Sequence, residues 1–332
     1  MNLQRRIGIM CELGRYLAGS SEVWEETKRL AGEKNKWFTG EFIEIASQNL
    51  IHQFLQEDKL QAWAKQYNIG EENHPIRTVG IIMAGNIPMV GFHDLLSVFI
   101  SGHRQKIKLS SKDDILMRHV SDWLIHKDPE CRELIEISDN LKGCDAYIAT
   151  GSGQSSRYFE FYFSKYPHII RPSKTSVALL NGSENKEELE KLSDDIHLFF
   201  GLGCRNVTQL LLPREYDFQP LMEALGKYSR LRQHYAYGNN YDYRLAILLL
   251  DKSKFLQTDH LLITENESPF SPISMLHYRY YSDLSDSEAI LQNSEGIQCV
   301  VGKGHTPFGE AQIPGLTDYA DGVDTMEFLQ SL

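Results

Sequence analysis

From residue 77 onward, short apolar runs alternate with longer stretches of helical periodicity. This alternation is typical of a parallel β-sheet whose strands are joined by crossover helices. We therefore expect an α/β fold. The predicted strands cover residues 78–83, 106–109, 145–149, 168–171, 176–180, 208–212, 261–264 and 298–301.

The first part of the chain has a different pattern. Large apolar side chains recur at helical spacing over residues 3–67, which predicts several amphipathic helices. Residues 70–75, with the sequence GEENHP, break the pattern before the first strand. The total length of 332 residues is sufficient for two domains with full cores.

Charge and cysteine content narrow the classes of function. A net charge of −11 argues against nucleic-acid or membrane-surface binding by the whole protein, while a local basic pocket for a phosphorylated cofactor stays compatible. The five cysteines form neither a CxxC pair nor a zinc-ligand spacing, so we expect reduced thiols and no metal. The N-terminal apolar run is interrupted at Cys11 and Glu12, which argues against a signal peptide, and residues 245–250 are too short to cross a bilayer. A cytoplasmic location fits best.

One stretch, FFGLGCRNV at residues 199–207, places a thiol between glycines and a cation. Gly201 and Gly203 leave the backbone bare, so a substrate carbonyl can approach the Cys204 sulfur and main-chain N–H. Arg205 and a nearby helix start would favour the thiolate, which is the attacking form. We interpret Cys204 as a nucleophile. The alternative is a small buried hydrophobe, the common fate of a free cysteine.

Polar groups follow the first two strands. Asn86, between Gly85 and a proline-containing turn, can project its amide toward a ligand as an oxyanion donor, or it is only a turn residue. After the second strand, Lys108, Ser110 and Ser111 combine cations and hydroxyls with no acid before residue 113, which suits a ribose 2′-phosphate. The alternative is a solvated loop in which Ser111 caps a helix.

Two further segments have the composition of ligand-binding loops. Thr150, Gly151 and Ser152 follow the third strand in a G-x-G-x-x-S pattern that opens a helix, where main-chain N–H groups can hold a pyrophosphate. Residues 265–272 contain two prolines around a phenylalanine, which fix an extended turn that could aim Glu267 and Phe270 at a ligand. We assign the aromatic helix face over residues 158–166 to the core.

The order of these segments resembles the aldehyde dehydrogenase superfamily, and most closely the fatty acyl-CoA reductases of the LuxC type. Six landmarks carry the resemblance across residues 78–310. They are Asn86 to Pro88, Lys108 with Ser110, Gly151 with Ser152, Gly201 with Cys204, Glu267 with Phe270 and Pro272, and Pro307 to Gly309.

The resemblance implies an aldehyde-dehydrogenase-like fold of two Rossmann-like parallel-sheet domains, with the active site in the crevice between them. It implies an NADP-binding domain over residues 1–180, to which residues 306–332 return, and a catalytic domain over residues 181–305. Cys204 is then the nucleophile, and Asn86 with the Cys204 main-chain N–H forms the oxyanion hole. The implied cofactor contacts are Lys108, Ser110 and Ser111 with the adenosine ribose, Thr150, Gly151 and Ser152 with the pyrophosphate, and Glu267 and Phe270 with the nicotinamide riboside. Ser111 stands where members that prefer NAD often have a glutamate, which favours NADPH.

One departure from the superfamily pattern points to the reaction. Members that oxidise aldehydes to acids use a glutamate to activate water, but residues 176–182 contain no acid before Glu184. Exchange of thioesters needs no activated water, because the CoA thiol is both leaving group and acceptor. The expected reaction is NADPH-dependent reduction of a fatty acyl-CoA to the aldehyde through an acyl-Cys204 intermediate. The chain is also shorter than typical members, so peripheral elements can differ.

Two other classes of function remain open from the residues. The first is an acyltransferase or thioesterase that pairs Cys204 with His168, His197 or His305 and performs no redox chemistry. The second is a non-catalytic nucleotide-binding subunit of an acyl-transfer complex. The resemblance implies an acyl-CoA or acyl carrier protein thioester as substrate, an acyl-protein synthetase as a candidate partner, and a homo-oligomer.

Overall fold

The computed structural model describes residues 1–72, 75–151, 153–294 and 296–332, and the chain divides into two compact units. Unit 1 comprises Met1–Ser173 and Pro314–Leu332, and unit 2 comprises Lys174–Ile313. These divisions differ from the expected ones at 180/181 and 305/306. Residues 175–179 form a strand that pairs within unit 2, and the main-chain N–H groups of Gly309 and Ala311 bind Asp195 of unit 2.

Unit 1 begins with four helices, which confirms the helical prediction for residues 3–67. Asn2, Ser21 and Thr39 each accept a hydrogen bond from a main-chain N–H in the first turn of the following helix, and so satisfy a donor that has no partner inside it. The helices are α1 (Leu3–Ala18), α2 (Glu22–Lys34), α3 (Gly40–Gln53) and α4 (Glu57–Gln66).

The sheet of unit 1 has five parallel strands in the order β3-β2-β1-β4-β5. The strands are β1 (Thr78–Ile82), β2 (Arg104–Lys108), β3 (Ile135–Ile137), β4 (Ala146–Thr150) and β5 (His168–Arg171), and the helices between them are α5 (Phe92–Ser101), α6 (Asp114–Lys127) and α7 (Gly153–Phe163). The chain proceeds from β1 to one side and returns to the other at β4. This reversal creates a topological switch point between β1 and β4, where open α/β sheets bind ligands.

Unit 2 is built on a second sheet, of six strands in the order β11-β6-β7-β10-β9-β8. In this sheet β8 runs antiparallel to β9, and the other neighbouring strands are parallel. Its elements are β6 (Thr175–Leu179), α8 (Lys186–His197), β7 (Val207–Pro213), α9 (Gln219–Leu225), α10 (Tyr235–Leu250), β8 (Leu256–Gln257), β9 (Leu262–Glu265), β10 (Met275–Tyr281), α11 (Leu284–Asn293) and β11 (Ile297–Gly302). The chain then returns to unit 1 and ends in α12 (Thr325–Gln330).

The core of unit 2 packs α8 and α9 against the sheet. Leu192, Leu210 and Leu276 are fully buried in one apolar cluster, and burial of each such side chain contributes about 1.5–3 kcal/mol. The predicted α/β fold is confirmed, but the short strands β3 and β8 were missed, and so was β10. Its sequence MLHYRYY lacks a continuous apolar run, although it lies between β7 and β9 in the middle of the sheet.

Within the described ranges, no helix combines the length and the apolar composition needed to cross a membrane.

Candidate active site

The candidate nucleophile lies in a tight turn between α8 and β7. The predicted helix over residues 186–200 ends at His197, because Phe199, Phe200 and Gly201 have φ angles of 54°, 58° and 73°. A left-handed conformation is costly for a residue with a side chain, by about 1–3 kcal/mol. Both phenylalanines are buried, and that burial offsets the cost. Cys204 follows in this turn, and it is partly accessible to solvent.

Asn206 holds the turn from beneath. Its side chain is completely buried. The carboxamide oxygen accepts the Gly203 N–H at 2.7 Å, and the amide nitrogen donates to the carbonyl oxygens of Asp195 at 3.0 Å and Leu198 at 2.9 Å. One side chain therefore joins the Cys204 turn to the last turn of α8. Asn206 was not among the sequence-predicted site residues, because an asparagine near a glycine pair also suits an ordinary loop.

Asp195, also fully buried, connects the same helix to the late Pro-Phe-Gly segment. Its two carboxyl oxygens accept the N–H groups of Gly309 at 2.7 Å and Ala311 at 3.0 Å. Burial raises the pKa of Asp195 to about 7, although the two N–H donors act in the opposite direction. The segment 307–309, which the sequence identified only as a landmark, is thus attached to the helix that precedes the cysteine turn.

A second thiol lies close to the Cys204 turn. The Ser176 hydroxyl donates to the Cys204 carbonyl oxygen at 3.1 Å, and the Ser176 hydroxyl oxygen lies 3.1 Å from the Cys299 sulfur. Burial raises the pKa of the Cys299 thiol, while Ser176 and the Arg205 guanidinium lower it. Part of the Arg205 charge therefore acts on Cys299, in addition to the effect on Cys204 that its place in the sequence predicts.

The loop that contains Glu267 and Phe270 is anchored by strand β7, which begins just after the cysteine turn. The Gln209 amide donates to the carbonyl oxygen of Asn266 at 2.8 Å and to those of Glu267 and Ser268 at 3.2 Å. Thr208 adds a hydrogen bond to the carbonyl oxygen of Pro269. The Glu267 and Phe270 side chains are both exposed. Unit 2 therefore holds both the nucleophile turn and the loop expected to contact a nicotinamide riboside.

The remaining candidate residues lie in unit 1, where three adjacent parallel strands end at one edge of the sheet. In the register of these strands, Ile82 is opposite Lys108 on one side and Ala149 on the other. The turn of Asn86, the segment Lys108–Ser111 and the pair Thr150–Gly151 consequently share this edge, on either side of the switch point. Lys108 and Ser111 are exposed, and the others are partly buried. Ser152, which the sequence assigned to the pyrophosphate, lies outside the described residues.

This edge is suited to a nucleotide cofactor. A Cβ added to Gly151 would lie 2.7 Å from the Phe159 ring and 2.9 Å from the Ser155 Cβ, so a larger residue cannot occupy this close approach to α7. The Gly151 N–H itself donates to the Arg171 carbonyl oxygen at 3.1 Å. This donor is therefore already used, and the candidates for holding a pyrophosphate are the N–H groups in the first turn of α7, which have no acceptor within their own helix. Lys108 and the two serines supply a cation and hydroxyls on the β2 side.

The structure also bears on which residues are available as bases. Glu184, the first acid after β6, accepts the N–H groups of Asn181 at 2.6 Å and Gly182 at 3.1 Å, so it is used in its own turn. His197 was one candidate partner for Cys204. Its Nδ1 lies 2.8 Å from the Ser193 carbonyl oxygen and its Nε2 lies 3.0 Å from the His260 Nε2. Both ring nitrogens are thus engaged in a buried pair, and burial lowers the pKa of His197 to about 3.

Among the residues that the structure covers, no group of three or more histidine, cysteine or acidic side chains is arranged to hold a metal ion.

Comparison with known proteins gives a structural result. No protein-family model and no curated protein sequence matches the chain. Solved aldehyde dehydrogenases, however, match most of it. The AldA indole-3-acetaldehyde dehydrogenase of P. syringae, in complex with NAD+ and IAA, has a TM-score of 0.65 at 12% identity and covers 89% of this chain and 70% of its own.

Two further structures agree with this result. The putative aldehyde dehydrogenase PutA from Anabaena variabilis has a TM-score of 0.68 at 11% identity and covers 95% of this chain and 78% of its own. An aldehyde dehydrogenase from Bacillus cereus has a TM-score of 0.68 at 13% identity, with coverage of 91% and 72%. At such low identity the likeness concerns the fold, and the chain has the α/β fold of the aldehyde dehydrogenases, with its Rossmann-like parallel sheets.

Proposed function

We propose that this protein is an acyl-CoA reductase, which reduces an acyl thioester to the aldehyde with NADPH through an acyl-Cys204 intermediate. The observation that carries the proposal is the Cys204 turn. A partly accessible thiol is held on a strained, buried turn, and the adjacent strand β7 anchors the Glu267–Phe270 loop. Two further observations support the same chemistry. The chain has the fold of the aldehyde dehydrogenases, and the order of its landmark segments resembles that superfamily.

The proposed reaction needs no carboxylate that activates water as a general base. The Cys204 thiolate attacks the thioester carbonyl carbon, the new C–S bond forms, and the tetrahedral oxyanion collapses to expel CoA thiolate, which takes a proton from solvent. NADPH, when bound, would supply the hydride that reduces the acyl carbon. The resulting thiohemiacetal oxyanion then collapses to the aldehyde and returns the Cys204 thiolate. In this proposal the Cys204 main-chain N–H and the Asn86 carboxamide stabilise both oxyanions.

The position of Glu184 favours reduction over aldehyde oxidation. Hydrolysis of an acyl-enzyme needs a general base that activates water, and the carboxylate of Glu184 is bound by two main-chain N–H groups. An acyl-enzyme in this site would then persist until hydride or a thiol reaches it. The carrier of the acyl group in this proposal is CoA or acyl carrier protein.

The test combines intact-protein mass spectrometry with cofactor oxidation. We expect wild-type protein to gain the mass of the acyl group from one or more members of an acyl-CoA series from butyryl to palmitoyl, and Cys204→Ser to gain none. Cys11→Ser, which changes a buried cysteine of α1 in unit 1, is the matched control and should label like wild type. Added NADPH should discharge the label and yield an aldehyde that is trapped as a hydrazone.

Three results would contradict the proposal. Labelling that is discharged without NADPH oxidation would identify a transferase or thioesterase. Labelling that survives Cys204→Ser would place the nucleophile elsewhere. A complete absence of labelling, with nucleotide binding retained, would identify a non-catalytic subunit.

A further inference from the structure

A buried acid, Asp113, forms a hydrogen bond with the C-terminal end of the turn that contains Asn86. Asp113 follows β2 and is only 3% exposed. Its Oδ2 accepts the main-chain N–H of Met89 at 2.6 Å. Asp113 is also the residue that precedes α6, but its side chain makes no capping hydrogen bond to that helix. The carboxyl group therefore serves the Asn86 turn, which we define as residues 85–89, and not the helix.

This hydrogen bond is made at a residue whose backbone is strained. Met89 has a φ of 55°, in the left-handed region, which costs about 1–3 kcal/mol for a residue other than glycine. The Met89 side chain is buried, and the hydrogen bond to Asp113 adds a specific tether to the same residue. Without that bond, the strained conformation at the end of the turn loses its polar anchor.

The N-terminal end of the turn, at Gly85, packs closely against the same segment, residues 110–113. A Cβ on Gly85 would lie 2.5 Å from the Ser110 Oγ and 3.1 Å from the Asp113 Cβ, so the backbone here is pressed against residues 110–113. Asn86 thus lies between two fixed points, one at Gly85 and one at Met89. Asp113 accepts a hydrogen bond at Met89, and its Cβ lies next to Gly85.

The second carboxyl oxygen of Asp113 adds a free-energy cost to this arrangement. Oδ1 is buried, and no hydrogen-bond partner for it exists in the described part of the chain. Burial raises the pKa of the Asp113 carboxyl well above its ordinary value. A buried polar atom without a partner destabilises a fold, so the hydrogen bond from the Met89 N–H is kept at a cost in stability.

We propose that Asp113 is a positioning residue that holds the Asn86 turn in the conformation required for oxyanion stabilisation. This inference rests on the proposed function, in which the Asn86 carboxamide contacts the reacting oxygen. Loss of the Asp113 acceptor frees the turn, and the effect falls on the chemical step. Lys108 at the end of β2 and Ser111 just after it, which are expected to contact the cofactor, stay in place.

The experiment measures thioester reduction by five variants. We expect Asp113→Ala to lower kcat roughly tenfold to a hundredfold, the range for loss of one oxyanion donor or less, with the KM for NADPH unchanged. Asp113→Asn retains a carbonyl acceptor for the Met89 N–H in the same shape and should restore kcat to within about threefold of wild type. Asn86→Ala, combined with Asp113→Ala, should be no slower than Asn86→Ala alone, since residues that act as a unit are non-additive. Asp114→Asn, which removes a neighbouring acid paired with Lys34, is the control.

Hydrogen exchange supplies a readout that does not depend on activity. Asp113→Ala should speed exchange of the Met89 amide and its neighbours in the Asn86 turn, and Asp113→Asn should not. If Asp113→Ala does not fold, Asp113→Val gives the same test with a side chain of similar shape and no acceptor. If wild-type protein forms no acyl-enzyme, the proposed function fails, while hydrogen exchange still decides whether Asp113 clamps the turn.

Three outcomes would overturn the inference. One is a loss of kcat in Asp113→Asn as large as in Asp113→Ala. The second is full additivity of the Asn86 and Asp113 substitutions. The third is an effect confined to the KM for NADPH, which would make Asp113 a cofactor-site residue.

Discussion

The two candidate regions, one in each unit, are held in place by different kinds of buried polar group. In unit 2, uncharged groups position the Cys204 turn, chiefly the Asn206 carboxamide and the Ser176 hydroxyl. In unit 1, the edge of the sheet depends on acids and a cation. The Arg171 guanidinium donates to both oxygens of Asp94 at 2.6 Å, and both side chains are buried.

This difference predicts how much stability each region loses when one or both members of a buried pair are substituted. Burial of an ion pair requires that both charges stay matched, because a single remaining charge carries its full desolvation cost. Removal of a carboxamide leaves unpaired dipoles, which cost less per group. The unit 1 edge should therefore be more sensitive to loss of a single partner, and more tolerant of loss of both, than the turn in unit 2.

The largest expected effect tests the ion pair. Arg171→Leu leaves the Asp94 carboxylate buried without its cation and removes a hydrogen bond to Thr325. We expect the free energy of unfolding, measured by urea titration, to fall by about 4 kcal/mol. The double variant Asp94→Leu/Arg171→Leu should recover a large part of this loss. If the double variant is as unstable as the sum of the single variants, the contrast between the two regions is wrong.

The next effect tests the cysteine turn. Asn206→Ala leaves the Gly203 N–H and the carbonyl oxygens of Asp195 and Leu198 without the partners seen in the structure. We expect urea titration to show a loss of about 3 kcal/mol. Asn293→Ala changes an exposed asparagine of α11 and should stay within about 0.5 kcal/mol of wild type. Equal losses in the two variants would remove Asn206 from its assigned role.

A smaller effect concerns the pH dependence of the unfolding free energy, to which the buried pair His197 and His260 of unit 2 contributes. The His197 Nδ1 faces a carbonyl oxygen and so carries the proton, which leaves its Nε2 to accept from His260. Burial lowers the pKa of His260 from 6.5 to about 4. Between these values the unfolded chain binds more protons than the folded protein, so stability falls as the pH drops below 6.5.

This pH dependence can be assigned by substitution. His260→Gln should reduce the slope of unfolding free energy against pH by about 1.4 kcal/mol per unit over the range 4.5 to 6, as measured by urea titration at each pH. His126→Gln, at an exposed position in α6, should retain the wild-type slope. Asp195 acts in the opposite sense, since its raised pKa favours the folded state as the pH falls below about 7. An unchanged slope in His260→Gln would exclude the histidine pair as the source.

The smallest expected effect concerns cofactor choice at the unit 1 edge. Ser111 is exposed after β2, and Ser111→Glu would place a carboxylate where the proposed function puts a ribose 2′-phosphate. We expect the KM for NADPH to rise roughly tenfold and the KM for NADH to change little, because like charges repel across a few ångströms. Ser111→Gln, with the same size and no charge, should leave both values near wild type. An equal rise for both cofactors would mean that Ser111 does not face the 2′ position.

The amino-acid sequence predicted the architecture well wherever the pattern was local. Eight of the strands were visible as short apolar runs, because strands buried on both faces need apolar side chains throughout. Strand β10 was missed since its tyrosines and His277 make polar contacts, such as the bond from His277 to the Ser268 carbonyl oxygen. The aromatic face over residues 158–166, assigned to the core, is instead exposed, with Phe161 at 77% and Tyr162 at 67%. Periodicity identifies a helix but not which of its faces is covered.

The candidate residues divide in the same way. The sequence by itself determined that Cys204 lies in a glycine-rich turn before a strand, and that Asn86, Lys108 and Gly151 follow strands, because backbone freedom and strand ends are local properties. Only the tertiary structure decided which polar groups hold these turns. Asn206, Asp195 and Asp113 acquire their roles from partners distant in sequence or from burial, and neither is encoded in residue type or spacing.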